Sequence, residues 1–215
     1  MPVRDKKEWG KIQPMSRLKS PLILFLATVV LIALVALFGP EDKALGANVR
    51  IVYLHGAWVL TAEIAFILAG VAGILATLRS RPVLDDWSAA LGRSGTVFWV
   101  TYLPLSLLAM QANWNGLFLA EPRFRLALTF AVVAVLMQVG LWLLAKSAYT
   151  SAANTLFALV LFYSFSQASN VMHPPPSPIF NSGNYVIIGF FLGLNLLSWL
   201  AAYFLAKWFL SLSKK

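Results

Sequence analysis

The sequence predicts an all-α integral membrane protein with six transmembrane helices and both termini in the cytoplasm. Three observations carry that expectation. The chain has 215 residues, of which 60% are hydrophobic and 12% charged, and its mean hydropathy is +0.76. A soluble domain of this length has too little interior to hide that much apolar surface. The apolar residues gather into runs of about 18 or more, the length that crosses a hydrocarbon core as a helix. The basic residues then alternate between the ends of these runs in the pattern that orients membrane helices.

In order along the chain, residues 1–20 form a basic leader, with Arg4, Lys6, Lys7, Lys11, Arg17 and Lys19 against Asp5 and Glu8. The first span is expected over residues 21–38, stopped by Gly39-Pro40, and a short polar loop leads to Arg50. The first run lacks a small-residue cleavage site, so it is expected to remain as a helix. A second span, residues 51–78, holds His55 near its start and Glu63 inside it. Arg79, Arg81, Asp85, Asp86 and Arg93 read as a mixed-charge loop. The third span, 95–112, contains Pro104, a kink signal. A loop over Gln111–Arg125 leads to the fourth span, which runs to Ala145 and is capped by Lys146. The fifth span, 149–170, turns polar at its end, before His173 and a proline-rich run. The sixth, 185–209, closes the membrane domain at residues 21–209 and leaves 210–215 as a cytoplasmic tail.

With a cytoplasmic N-terminus, thirteen of the 17 Lys and Arg residues fall on the inner side. Only Lys43, Arg50, Arg123 and Arg125 fall on the outer side, in agreement with the positive-inside rule. The expected location is the plasma (inner) membrane, with a periplasmic or other extracytoplasmic outer face. The net charge of +9 is accounted for by these flanks, so nucleic acid is not implied as a partner. There is no cysteine, which excludes disulfides, iron–sulfur clusters and thiolate zinc sites. No nucleophile–base–orienter set and no phosphate loop is present, so hydrolase and nucleotidase chemistry has no support. Small residues recur every four positions at Ala65, Ala69 and Gly73, and again at Gly189 and Gly193, a spacing that lets membrane helices approach closely.

The topology brings both histidines, His55 and His173, to the outer ends of their helices, level with the Gln111–Arg125 loop. That loop joins apolar rings, Trp114 and Phe118, to a carboxylate, Glu121, and two guanidiniums, Arg123 and Arg125. Paired neutral imidazoles are ligands for haem iron, apolar rings can cradle a porphyrin, and guanidiniums, Arg50 among them, suit its propionates. Two histidines with Glu121 could instead hold zinc or copper, although the surroundings are aromatic rather than carboxylate-rich. The plainer readings are an interfacial anchor for each histidine, an aromatic belt for Trp114 and Phe118, and lipid phosphates for Arg123 and Arg125. Glu63 lies about 12 Å along its helix from His55. It reads either as a proton relay or as a structural hydrogen-bonding group, with Asn154, Gln138 and Gln167 as candidate partners.

Three stretches carry a family resemblance. Arg50-Ile51-Val52-Tyr53-Leu54-His55, with Trp58 after it, resembles an Arg-Ile-x-Tyr-x-His motif. The Gln111–Arg125 loop is similar to a tryptophan-rich Trp-Gly-x-Trp-Trp-x-Trp-Asp-x-Arg stretch: Trp114 and Arg123 match, while Leu117, Phe118 and Ala120 replace tryptophans and Glu121 the aspartate. Asn170-Val171-Met172-His173 is similar to an Asn-x-Leu-His motif, with Ala168 and Ser169 in place of tryptophans. These motifs resemble those of the haem-handling WWD-domain proteins of cytochrome c maturation, the CcmC and CcsA types. The chain looks like a divergent member over its six-span core. The resemblance implies haem b with His55 and His173 as axial ligands, and a loop that holds the porphyrin edge. It also implies a protein that transports or presents haem to a partner chaperone rather than an enzyme. The alternative is a structural or haem-carrying integral subunit of a larger respiratory or photosynthetic electron-transfer complex. Such a chain would have membrane lipids and other membrane subunits as partners.

Overall fold

A computed structural model describes residues 20–172 and 178–213; the basic leader up to residue 19, residues 173–177 and the last two residues lie outside the described residues. The order is α1 (Pro21–Leu37), α2 (Val49–Arg79), α3 (Pro82–Trp114), α4 (Pro122–Leu144), α5 (Ser147–Ser166), a short 3-10 turn (Phe180–Ser182) and α6 (Tyr185–Leu212). No strand occurs among the described residues. Five helices, α2 to α6, are long and apolar enough to cross a membrane, and α1 is a shorter apolar helix of 17 residues. The molecule is an all-helical, multi-pass membrane architecture.

Helices α2, α3, α4 and α6 run longer than the apolar runs alone indicate. The expected mixed-charge loop over residues 79–93 reduces to Ser80 and Arg81, and α3 starts at Pro82, whose fixed φ suits the first helical position. Two polar residues of this segment, Asp85 and Ser88, are satisfied by neighbouring helices. Ser88 Oγ donates to the Ala69 carbonyl at 2.9 Å, and Ser151 Oγ donates to Asp85. Helix α3 continues through Pro104 to Trp114. The Gln111–Arg125 loop shrinks in the same way to residues 115–121, since Gln111–Trp114 completes α3 and Pro122–Arg125 is the first turn of α4. Helix α5 occupies 147–166 rather than 149–170, and α6 runs past residue 209 into the expected tail.

Helix α2 is the centre of the bundle and packs on α1, α3, α5 and α6. Between α2, α3 and α5 the contact is close and polar. Asn154 on α5 donates through Nδ2 to the Ser88 carbonyl at 2.9 Å and to Ser88 Oγ at 3.2 Å. Its Oδ1 accepts from Gln138 Nε2 of α4 at 3.0 Å. Thr155 Oγ1 donates to the Gly70 carbonyl at 3.1 Å. In a bilayer, helices associate through such close packing and internal hydrogen bonds, because lipid is as apolar as the side chains.

The small-residue spacings have unequal roles. Ala65 and Ala69 are buried, and a Cβ added at Gly73 would lie 2.5 Å from the Ser151 carbonyl oxygen, so α5 rests on the α2 backbone there. At Gly189 and Gly193 an added Cβ would meet nothing within 4 Å, so those glycines serve no close approach. Gly73→Ala is therefore expected to cost about 1–3 kcal/mol by overpacking. Gly193→Ala should stay within about 0.5 kcal/mol of the parent. Thermal unfolding of both variants in one detergent checks the contrast; equal midpoints would contradict the assigned contact.

Candidate functional site

Asn48 Nδ2 donates to the Ala112 carbonyl at 2.8 Å, which ties the residue before α2 to the last turns of α3. This end of the bundle carries His55, in the second turn of α2, and the 115–121 loop. The first half of the Arg-Ile-x-Tyr-x-His motif acts as a clamp. Arg50 Nε donates to the Gly39 carbonyl at 3.0 Å, and its Nη2 pairs with Glu41 at 3.2 Å. Tyr53, fully buried, donates its hydroxyl to the Pro40 carbonyl at 3.0 Å. Arg50 and Tyr53 thus close the turn from α1 into α2 and orient the helix that presents His55.

His55 is half-buried and faces Tyr102 of α3, with ring centroids 5.6 Å apart. Tyr102 in turn packs edge-on against Trp99 at 5.0 Å, and Trp99 against Phe66 at 6.0 Å. Phe66 meets Phe157 at 4.8 Å, so an aromatic column runs from His55 into the α2–α3–α5 core. Trp99 is fixed by its indole N–H, which donates to the Ala127 carbonyl of α4 at 3.0 Å. Trp58 is buried beneath this end, its indole N–H on Thr101 Oγ1 at 3.0 Å and its ring 5.0 Å from Phe98. Its side chain is therefore committed to the α2–α3 contact.

The charged groups converge on the same aromatic column. Arg123, half-buried on the first turn of α4, lies in the neighbourhood of Glu63. Glu63 and Glu121 both lie in the neighbourhood of Tyr102. The candidate partners for Glu63 are engaged elsewhere: Gln138 bonds Asn154, and Gln167 bonds Ser166 Oγ at 3.2 Å. The charge near Glu63 is thus a cation on the first turn of α4, not one of these amides. Tyr102 was also missed; the one signal for it is a polar-tipped ring within an apolar run.

The 115–121 loop carries several exposed apolar side chains. Trp114 ends α3, the left-handed Asn115 (φ 51°) turns the chain, and Leu117, Phe118 and Leu119 follow, all exposed. Glu121 closes the loop with both carboxylate oxygens engaged. Its Oε2 caps α4 by accepting from the Phe124 N–H at 2.6 Å, and its Oε1 accepts from the Met172 N–H at 3.4 Å. Arg125 is exposed one residue beyond. His173 lies outside the described residues; Met172, which precedes it, is the residue tied to Glu121. Among the described residues, no group of three or more His, Cys, Asp or Glu side chains is placed to hold a metal ion.

Because Glu121 serves two segments, Glu121→Ala should cost about 1 kcal/mol as a lost helix cap. It should also release the Met172 segment, which Glu121→Gln should do far less. Hydrogen exchange at Phe124 and Met172 checks this: both amides should exchange faster in the alanine variant.

No family model, no curated protein and no solved structure matches this chain.

Proposed function

We propose that this chain is a haem-binding membrane protein that takes haem as cargo at its His55 end and presents it at the extracytoplasmic face for cytochrome c assembly. The observation that carries the reading is the Met172–Glu121 hydrogen bond. It fastens the segment leading to His173 onto the aromatic loop, at the end of the bundle where α2 offers the His55 imidazole. The donor chemistry fits haem in kind: a half-buried imidazole, exposed planar and apolar side chains at Trp114 and Phe118, and guanidiniums at Arg123 and Arg125.

In this reading His55 and His173 hold the iron through neutral ring nitrogens. Tyr102 keeps the His55 ring oriented, and Arg123 meets the propionates while balancing Glu63. The exposed Leu117-Phe118-Leu119 lobe is the surface from which a partner chaperone would receive the haem. The distribution of basic residues supports six spans with both termini cytoplasmic, and so an extracytoplasmic site in the plasma membrane. No covalent change is required of the protein.

Protein purified after haem-replete expression should show a Soret band. His55→Ala should lower haem occupancy at least about tenfold, since one of two axial bonds is lost, and the His55→Ala/His173→Ala double variant should abolish it. Absorption spectra normalised to protein provide the readout. A folded wild-type protein that stays colourless with added haem would end this reading.

A further inference from the structure

At the opposite end of the bundle, α3, α4, α5 and α6 enclose a cavity of about 340 Å³, distinct from the haem site proposed above. Its polar lining is balanced: Arg93 and Lys146 supply cations, and Asp85 and Asp86 supply carboxylates. Trp142 and Phe209 form an apolar wall. Arg93 is the unusual member. It is half-buried, eleven residues into α3, and makes neither a hydrogen bond nor an ion pair with any described residue. A guanidinium carries five donors and a permanent charge, and a partly desolvated one within a membrane bundle calls for an anionic partner. Side chains on a helix lean toward its N-terminus, so Arg93 reaches along the face of Asp86 and Ala89 toward the end of the bundle.

The cavity sits at the α4–α5 turn. Helix α4 has 23 residues and so spans about 35 Å, slightly more than a hydrocarbon core, which sets its end at the headgroup level. The first turn of α5 begins beside the cavity with no side-chain cap, leaving backbone N–H groups for an anion. Lys146 extends over the Tyr149 ring, 5.4 Å from its centroid.

We infer that this cavity binds the headgroup of a zwitterionic aminophospholipid, with its phosphodiester on Arg93 and its ammonium on Asp86. Asp85 is occupied by the Ser151 hydroxyl, which leaves Asp86, exposed and without an ion pair among the described residues, to meet the ammonium. The apolar wall selects a lipid over a free phosphate. Trp142 is 67% exposed on the outside of α4, so the cavity opens sideways toward acyl chains rather than only toward water.

The test uses the full chain in detergent, with short-chain phosphatidylethanolamine, phosphatidylglycerol and inorganic phosphate as probes. Binding is read by native mass spectrometry and by the rise in unfolding temperature. The expected result is tight binding of phosphatidylethanolamine, weakened at least about tenfold in Arg93→Gln, the loss of a charge-assisted contact. Asp86→Asn should remove the preference for ethanolamine over glycerol. Should Arg93→Gln fail to accumulate, Asp86→Asn decides: an unchanged preference for phosphatidylethanolamine in that variant overturns the proposal. Equal binding by wild type and Arg93→Gln overturns the proposal, as does equal affinity for phosphatidylglycerol in the wild type. Protection by inorganic phosphate as strong as that by phosphatidylethanolamine would assign the site to a free anion instead. None of these outcomes depends on haem.

Discussion

The fold depends on one side chain that joins three helices. Inside a membrane bundle a side-chain amide gains by finding partners on neighbouring helices, and Asn154, 3% exposed, does so by donating to Ser88 and accepting from Gln138. Gly92 makes room for it, since a Cβ there would lie 2.6 Å from Asn154 Oδ1. The amide thereby sets the spacing of α3, α4 and α5 in a part of the molecule where apolar packing alone is indifferent to register. The aromatic column stands on this node. Phe157 is three residues beyond Asn154, and from it the rings of Phe66, Trp99 and Tyr102 lead to His55. The imidazole is positioned by a stack of contacts whose base is polar.

The helical architecture was legible because apolar length is a strong signal, and five long apolar helices are present. Helix ends were less legible, and for a physical reason. Hydropathy locates the part of a helix that lipid would touch, whereas α3 extends through Asp85 and Ser88 because α2 and α5 supply hydrogen-bond partners that no local window contains. The start of α4 was readable in principle. Glu121-Pro122 is a capping carboxylate followed by a proline at the first helical position, a signal that the apolar Trp114 to Ala120 stretch before it obscures.

Within the candidate site, residue type was more informative than role. Arg50 and Tyr53 stand in a motif beside His55, yet their side chains bind the Gly39 and Pro40 carbonyls and so act as a hinge pin for α2. Trp58, an expected cofactor contact, is spent on Thr101 and Phe98. Tyr102 and the link between Arg123 and Glu63 arise only from tertiary juxtaposition. A motif read along one helix cannot separate the residue that meets a ligand from the residues that aim it. The neighbouring helix makes that distinction.

The two-residue connection of Ser80 and Arg81 has a consequence for how the molecule is built. It joins the most extensively packed pair of helices, α2 and α3. Contacts so near in sequence close at little entropic cost, so this hairpin can assemble as soon as both of its helices have entered the bilayer. Until α5 follows, the Ser88 and Gly70 carbonyls lack the partners on Asn154 and Thr155 that later cover them. The half-made bundle therefore holds an open polar seam along α2–α3, and α5 is the segment with the groups to close it. Assembly order is thus written into which helix carries the asparagine.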